Sequence, residues 1–172
     1  MTACGSTGSS TTDSSASDDD ATAATATRKP FDGQAAFTLT QQQCDFGERV
    51  PGTQAHAKCA DWLMATLQEA CDTVILQTGT VQTAKSGAMG IKNIIGVINP
   101  DASQRLLLLA HWDTRPWADN DPDPANHNKP VMGANDGASG VGGGGLEAEV
   151  EGDETRKEQG SRLLLRWVRF LD

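Results

Sequence analysis

The sequence predicts one α/β domain in three layers, α/β/α, around a mixed sheet. Three observations carry this expectation: an amphipathic helical pattern, three strand-like segments that follow it, and apolar runs within those segments that do not alternate. At 172 residues the chain has about one domain's length. No internal repeat interrupts it.

Within residues 1–30, the stretch from Gly5 to Thr27 is Ser, Thr, Ala, Gly and Asp with no large apolar side chain. Such a segment buries too little to offset its ordering entropy and is expected to be a disordered tether. A folded domain is expected from residue 31 to 172, because apolar residues recur from Phe31 onward. Gly47 to Gly52, with Pro51, is turn chemistry, and Thr53 is placed to cap a helix running to about Cys71. Its stripe is Ala60, Leu63, Leu67 and Cys71. Residues 74–82, 91–98 and 105–110 then read as strands, the second ended by Asn99-Pro100 and the third continuously apolar. Apolar runs of this kind imply strands covered on both faces.

Composition removes several classes of function. With 14 Lys and Arg against 23 Asp and Glu, the net charge of −9 disfavours nucleic acid as a partner. No stretch reaches the ~18–20 apolar residues of a membrane-spanning helix. The four cysteines, Cys4, Cys44, Cys59 and Cys71, lack the spacing of a structural zinc site. Cys59 and Cys71 share a helix and stand ~18 Å apart, too far for a disulfide, which leaves a bond from Cys44 to either one open. Gly140 to Gly145 lacks the Gly-Lys-Ser/Thr ending of a phosphate loop, and Ser139 lacks the surroundings of a nucleophile elbow. Asp119, Asp121 and Asp123 alternate like a calcium loop, but Pro124 and Pro130 stand where that loop needs Gly and Glu.

The chemistry is expected in residues 106–140, LLLLAHWDTRPWADNDPDPANHNKPVMGANDGASG. A buried strand ends on His111 and Asp113, and in open α/β sheets ligands bind beyond the carboxyl ends of strands. Asp136 follows in a glycine-bounded turn. An imidazole and a carboxylate presented by neighbouring strand ends suit zinc, although the usual roles of such residues are a structural hydrogen bond and a helix cap. His56 and His127 read as surface residues.

Together, AHWDTRPWAD, DPDP and GANDGASGVG resemble the M28 metallopeptidase family, in particular its glutaminyl-peptide cyclotransferase (glutaminyl cyclase) branch. FGERVPGTQAHAKCADWL at residues 46–63 and KNIIGVI at 92–98 are similar to the same branch. The resemblance implies a zinc exopeptidase-like fold with a mainly parallel sheet, incomplete at its carboxyl end. It implies that Asp136 binds zinc, that Asp113 orients its neighbours, and that His111 is a ligand only in two-zinc aminopeptidases. One zinc ion is implied for a cyclase and two for an aminopeptidase. The implied substrate is a peptide or protein amino terminus. Its N-terminal glutamine would close on itself, the α-amine attacking the γ-carbonyl as ammonia leaves.

The family's general-base Glu and its late metal-binding His have no match, and residues 163–171 resemble the strand that precedes them. The catalytic Glu is therefore expected beyond Asp172, and the 172-residue chain is expected to be a truncated, inactive cyclase. The alternatives are an M28 aminopeptidase and a non-enzymatic remnant. Gly142 to Gly145 stand where relatives carry apolar helical residues, so that helix is expected to start late or fail, or the reading frame to change after Gly142. At the amino end, Met1-Thr2-Ala3-Cys4-Gly5-Ser6 resembles a lipobox. It implies either a lipid anchor on Cys4, in the cell envelope or periplasm, if a signal region lies upstream, or a free Cys in a tail.

Overall fold

The computed structural model describes residues 30–103, 106–146 and 161–166. Cys4 and residues 1–29, together with most of the segment expected as a strand at 163–171, lie outside them.

Helix α1 spans Gly33–Asp45 and was not anticipated as an element. Asp32 starts it, its carboxylate accepting from the backbone of Gln34 and Ala35, both at 2.9 Å. Helix α2 spans Gln54–Ala70, capped by Thr53 as expected. Its buried residues are His56, Cys59, Ala60, Leu63 and Leu67, one face of a helix. The helix stops where Cys71 turns extended while still donating to the Leu67 carbonyl at 2.8 Å.

Strands β1 (Thr73–Thr83) and β2 (Gly87–Ile98) form a hairpin across Ala84, Lys85 and Ser86. Strand β3 covers Leu106–His111 and β4 covers Ser161–Arg166. The sheet order is β1-β2-β4-β3. It is mixed, as expected, but its expected mainly parallel character is absent among the described strands. β1 with β2 and β2 with β4 are antiparallel, and β3 with β4 is parallel. The reason lies in the connections: three residues close a hairpin, whereas a parallel pair needs a crossover of a dozen or more.

The core joins Cys59, Ala60, Leu63 and Leu67 of α2 to Ile94 of β2, Trp112 and Val141. Leu39 of α1 and Leu108 of β3 pack at its border. The described helices thus feed one core on one side of the sheet, giving two of the three expected layers. On β3, Leu107 and Leu109 remain 51% and 59% exposed, so the expectation of cover on both faces is not met by the described residues.

The glycine-rich segment is helical over Gly140–Leu146, with wide π-type turns, and neither starts late nor fails. Gly142 shows why glycine is used: a Cβ there would stand 2.6 Å from Thr40 Oγ1 and 2.7 Å from the Ala36 carbonyl. The missing side chain lets α1 lie directly against this helix, and close packing offsets part of glycine's helical cost of ~1 kcal/mol. No disulfide joins Cys44, Cys59 and Cys71 among the described residues.

Candidate metal centre at the end of strand β3

At the carboxyl end of β3 the chain passes from the sheet into the interior. His111 keeps a side-chain exposure of 19%, and the next three residues, Trp112, Asp113 and Thr114, are buried. Trp112 stacks on His56 with ring centroids 4.2 Å apart and planes 16° from parallel. His56 is only 3% exposed, which corrects the expectation of a surface histidine. It occupies the buried stripe of α2, four residues before Ala60. Burial, reinforced by the nearby Lys92 charge, lowers its pKa from 6.5 to about 4. His127 is half-buried, and one ring nitrogen lies 2.9 Å from the Asp121 carbonyl, folding the Pro-rich loop on itself.

Asp136 arrives from the opposite side on a sharp turn. Gly133 adopts φ +63° and Gly137 φ +107°, with Asp136 extended between them at φ −93°, ψ 95°. Both glycines are required. A Cβ on Gly133 would meet Thr114 Cγ2 at 2.5 Å and the Asp136 carbonyl at 2.7 Å; one on Gly137 would come within 3.1 Å of the His111 ring. The turn closes through the Ala138 amide, which donates to the Gly133 carbonyl at 3.2 Å.

The structure brings His111, Asp113 and Asp136 together. His111 Nε2 lies 2.9 Å from Asp136 Oδ1, and Nδ1 lies 3.2 Å from the Asp113 carbonyl and 3.8 Å from its carboxylate. Each ring nitrogen faces an acceptor, an arrangement that favours the doubly protonated imidazolium. The side-chain contact with Asp113 is the main cause raising the His111 pKa; the charges of Asp113 and Asp136 add to it and burial opposes. The Asp136 side chain is 67% exposed and open to a further ligand.

Two features escaped the sequence reading. Gln43 of α1 is buried and donates through Nε2 to the Ala138 carbonyl at 3.0 Å, tying α1 to the turn. Arg49 is fully buried, and its guanidinium donates to five carbonyls: Trp112 at 2.9 Å, Gln43 and Gly47 at 3.2 Å, Met132 at 3.0 Å and Gly133 at 2.9 Å.

A strand end bearing a histidine thus stands beside a glycine-bounded turn bearing an aspartate, at the carboxyl edge of the sheet. The model of peptidase family M28 matches residues 93–146. Among solved structures, the glutaminyl cyclase of Bacteroides thetaiotaomicron is 39% identical with a TM-score of 0.75, over 80% of this chain and 47% of that one. The Porphyromonas gingivalis glutaminyl cyclase is 39% identical with a TM-score of 0.74, over 79% and 47%. A Zn-dependent exopeptidase from Parabacteroides distasonis is 36% identical with a TM-score of 0.75, over 80% and 47%. No curated protein matches the chain. Residues 93–146 thus match peptidase family M28, and the chain resembles glutaminyl cyclases. It spans about half the length of the solved structures it matches.

Likeness to peptidase family M28 and to a Zn-dependent exopeptidase implies zinc. Among the described residues no group of three or more His, Cys, Asp or Glu side chains could hold a metal ion. Tetrahedral zinc takes at least three protein ligands, and this site offers Asp136 with His111 at its side. The described donors therefore do not by themselves fit the ion.

Proposed function

We propose that the chain carries the amino-terminal part of a zinc-dependent glutaminyl-peptide cyclotransferase, which converts N-terminal glutamine to pyroglutamate with release of ammonia. The observation that carries this reading is the Asp136 carboxylate, displayed by its turn 2.9 Å from His111 at the end of β3. It stands in a chain 39% identical to a glutaminyl cyclase. Asp136 supplies one zinc ligand, Asp113 fixes the His111 ring, and the remaining donors and the general-base Glu come from outside the described residues.

The test joins residues 31–172 to the carboxyl-terminal half of the Bacteroides thetaiotaomicron enzyme and measures ammonia release from a Gln-peptide. The chimera is expected to be active with zinc and inactive after chelation, and the 172-residue chain alone to be inactive. Robust zinc-dependent release by the 172-residue chain would overturn the assignment of missing ligands.

An aminopeptidase reading is supported by likeness to a Bacteroides thetaiotaomicron structure described as a leucine aminopeptidase precursor, 39% identical with a TM-score of 0.75. It calls for two zinc ions with His111 as a ligand, so metal stoichiometry and hydrolysis of a Leu-peptide by the chimera separate the two. For location, the lipobox-like start supports anchoring through Cys4 in the cell envelope; radiolabelled palmitate appearing on the protein, and not on Cys4→Ser, tests it.

A further inference from the structure

We propose that Arg49 is the positioning residue of this site: its buried guanidinium sets the distance between the His111 and Asp136 arms. The inference rests on the site reading above and adds a residue that the reading does not use. The two arms approach from separate parts of the chain, His111 from a strand end and Asp136 from a turn 25 residues later. Arg49 joins them: Nε donates to the Trp112 carbonyl, one residue after His111, and one Nη donates to Met132 and Gly133, at the base of the Asp136 turn. The other Nη holds the Gln43 and Gly47 carbonyls, anchoring the fork to the end of α1. The Arg49 carbonyl itself accepts from the Thr114 amide at 3.1 Å, so the strand arm is held at two points.

The chemistry requires arginine. A planar fork donates in fixed, divergent directions, whereas an ammonium is a single point with three donors and cannot reach carbonyls on opposite sides at once. Full burial keeps water from replacing the lost bonds. With Arg49 the two arms move as one body; without it they are joined by Gln43, the short-range Ala138 bond, the His111–Asp136 contact and the Val131 amide on the Arg115 carbonyl.

The test compares wild type with Arg49→Lys by NMR at constant pH. In wild type the His111 ring lies against Gly137, so a nuclear Overhauser contact between His111 Hε1 and the Gly137 Hα protons is expected. In Arg49→Lys that contact is expected to disappear and the Ala138 amide to exchange at least tenfold faster. The Cys71 amide, bonded to Leu67 at the far end of α2, should change less than threefold. Equal acceleration at both amides, or a retained His111–Gly137 contact, overturns the proposal, since either means a general contribution to stability.

Should Arg49→Lys not fold, wild-type exchange in sub-denaturing guanidinium decides. The Thr114 and Ala138 amides, on opposite sides of Arg49, should become exposed in one shared opening. An opening that frees Ala138 while Thr114 stays protected overturns the proposal. None of these readouts needs metal or catalysis, so a failed cyclase assay leaves them standing, and their failure leaves the cyclase reading standing.

Discussion

Acidification is expected to destabilise the protein through His56. This imidazole is 3% exposed, stacked on Trp112 and near Lys92, and its pKa falls from 6.5 to about 4. The folded state therefore takes up a proton less readily than the unfolded chain. The sign follows: stability from the neutral, buried ring is complete above the unfolded value of 6.5 and is lost as pH falls toward the folded value near 4. A fall of that size corresponds to about 3 kcal/mol at most, a large share of the ~5–15 kcal/mol that stabilises a typical domain. His111 works in the opposite sense. Its raised pKa gives stability that is complete below 6.5 and is lost as pH rises through the folded value. Urea unfolding at pH 7 and pH 4.5, on wild type and His56→Gln, isolates the first effect. Wild type should lose roughly 2–3 kcal/mol more than the variant over that interval. An NMR titration placing His56 at 6 or above, or an identical pH dependence in both proteins, would refute the reasoning.

Further outcomes follow from packing and backbone. Gly133→Ala forces a side chain into the left-handed region and against both Thr114 and the Asp136 carbonyl; it should cost about 2 kcal/mol or more, read as a lowered Tm. Leu63→Ala opens a cavity in the α2 core, where Leu63 is fully buried, and should cost about 2–5 kcal/mol in urea unfolding. Gln43→Ala leaves the buried Ala138 carbonyl without its α1 donor and should cost about 1–3 kcal/mol, again by urea unfolding.

Local signals in the sequence carried much of the fold. Thr53 before a stripe at helical spacing marked α2, and the segments 74–82 and 91–98 marked the two strands that form the hairpin. Helix α1 was missed because its middle holds Thr38 and Thr40, poor helix formers, and its apolar face is narrow. Its stabilisation comes from docking on Gly142, a contact about a hundred residues away that no local pattern encodes. His56 was misread although its position, four before Ala60, belonged to the buried stripe; its polarity outweighed its spacing.

That His111, Asp113 and Asp136 would lie near one another was legible because a strand end and a glycine-bounded turn have local signatures. Arg49 was not. A guanidinium in a turn-rich stretch reads as solvated, and carbonyl partners 63 to 84 residues away leave no mark on side-chain identity. The direction of the sheet was likewise hidden, because β4 enters between β2 and β3 and its placement depends on pairing rather than on its own pattern.

The central claim is that Asp136 belongs to a zinc-binding set completed by the second half of the fold. Elemental analysis of the chimera, purified with and without Asp136→Asn, tests it most directly. About one zinc per chain is expected in the parent under the cyclase reading, with a large loss in the variant while circular dichroism stays unchanged. Equal zinc in both proteins, or none in a folded parent, would contradict it.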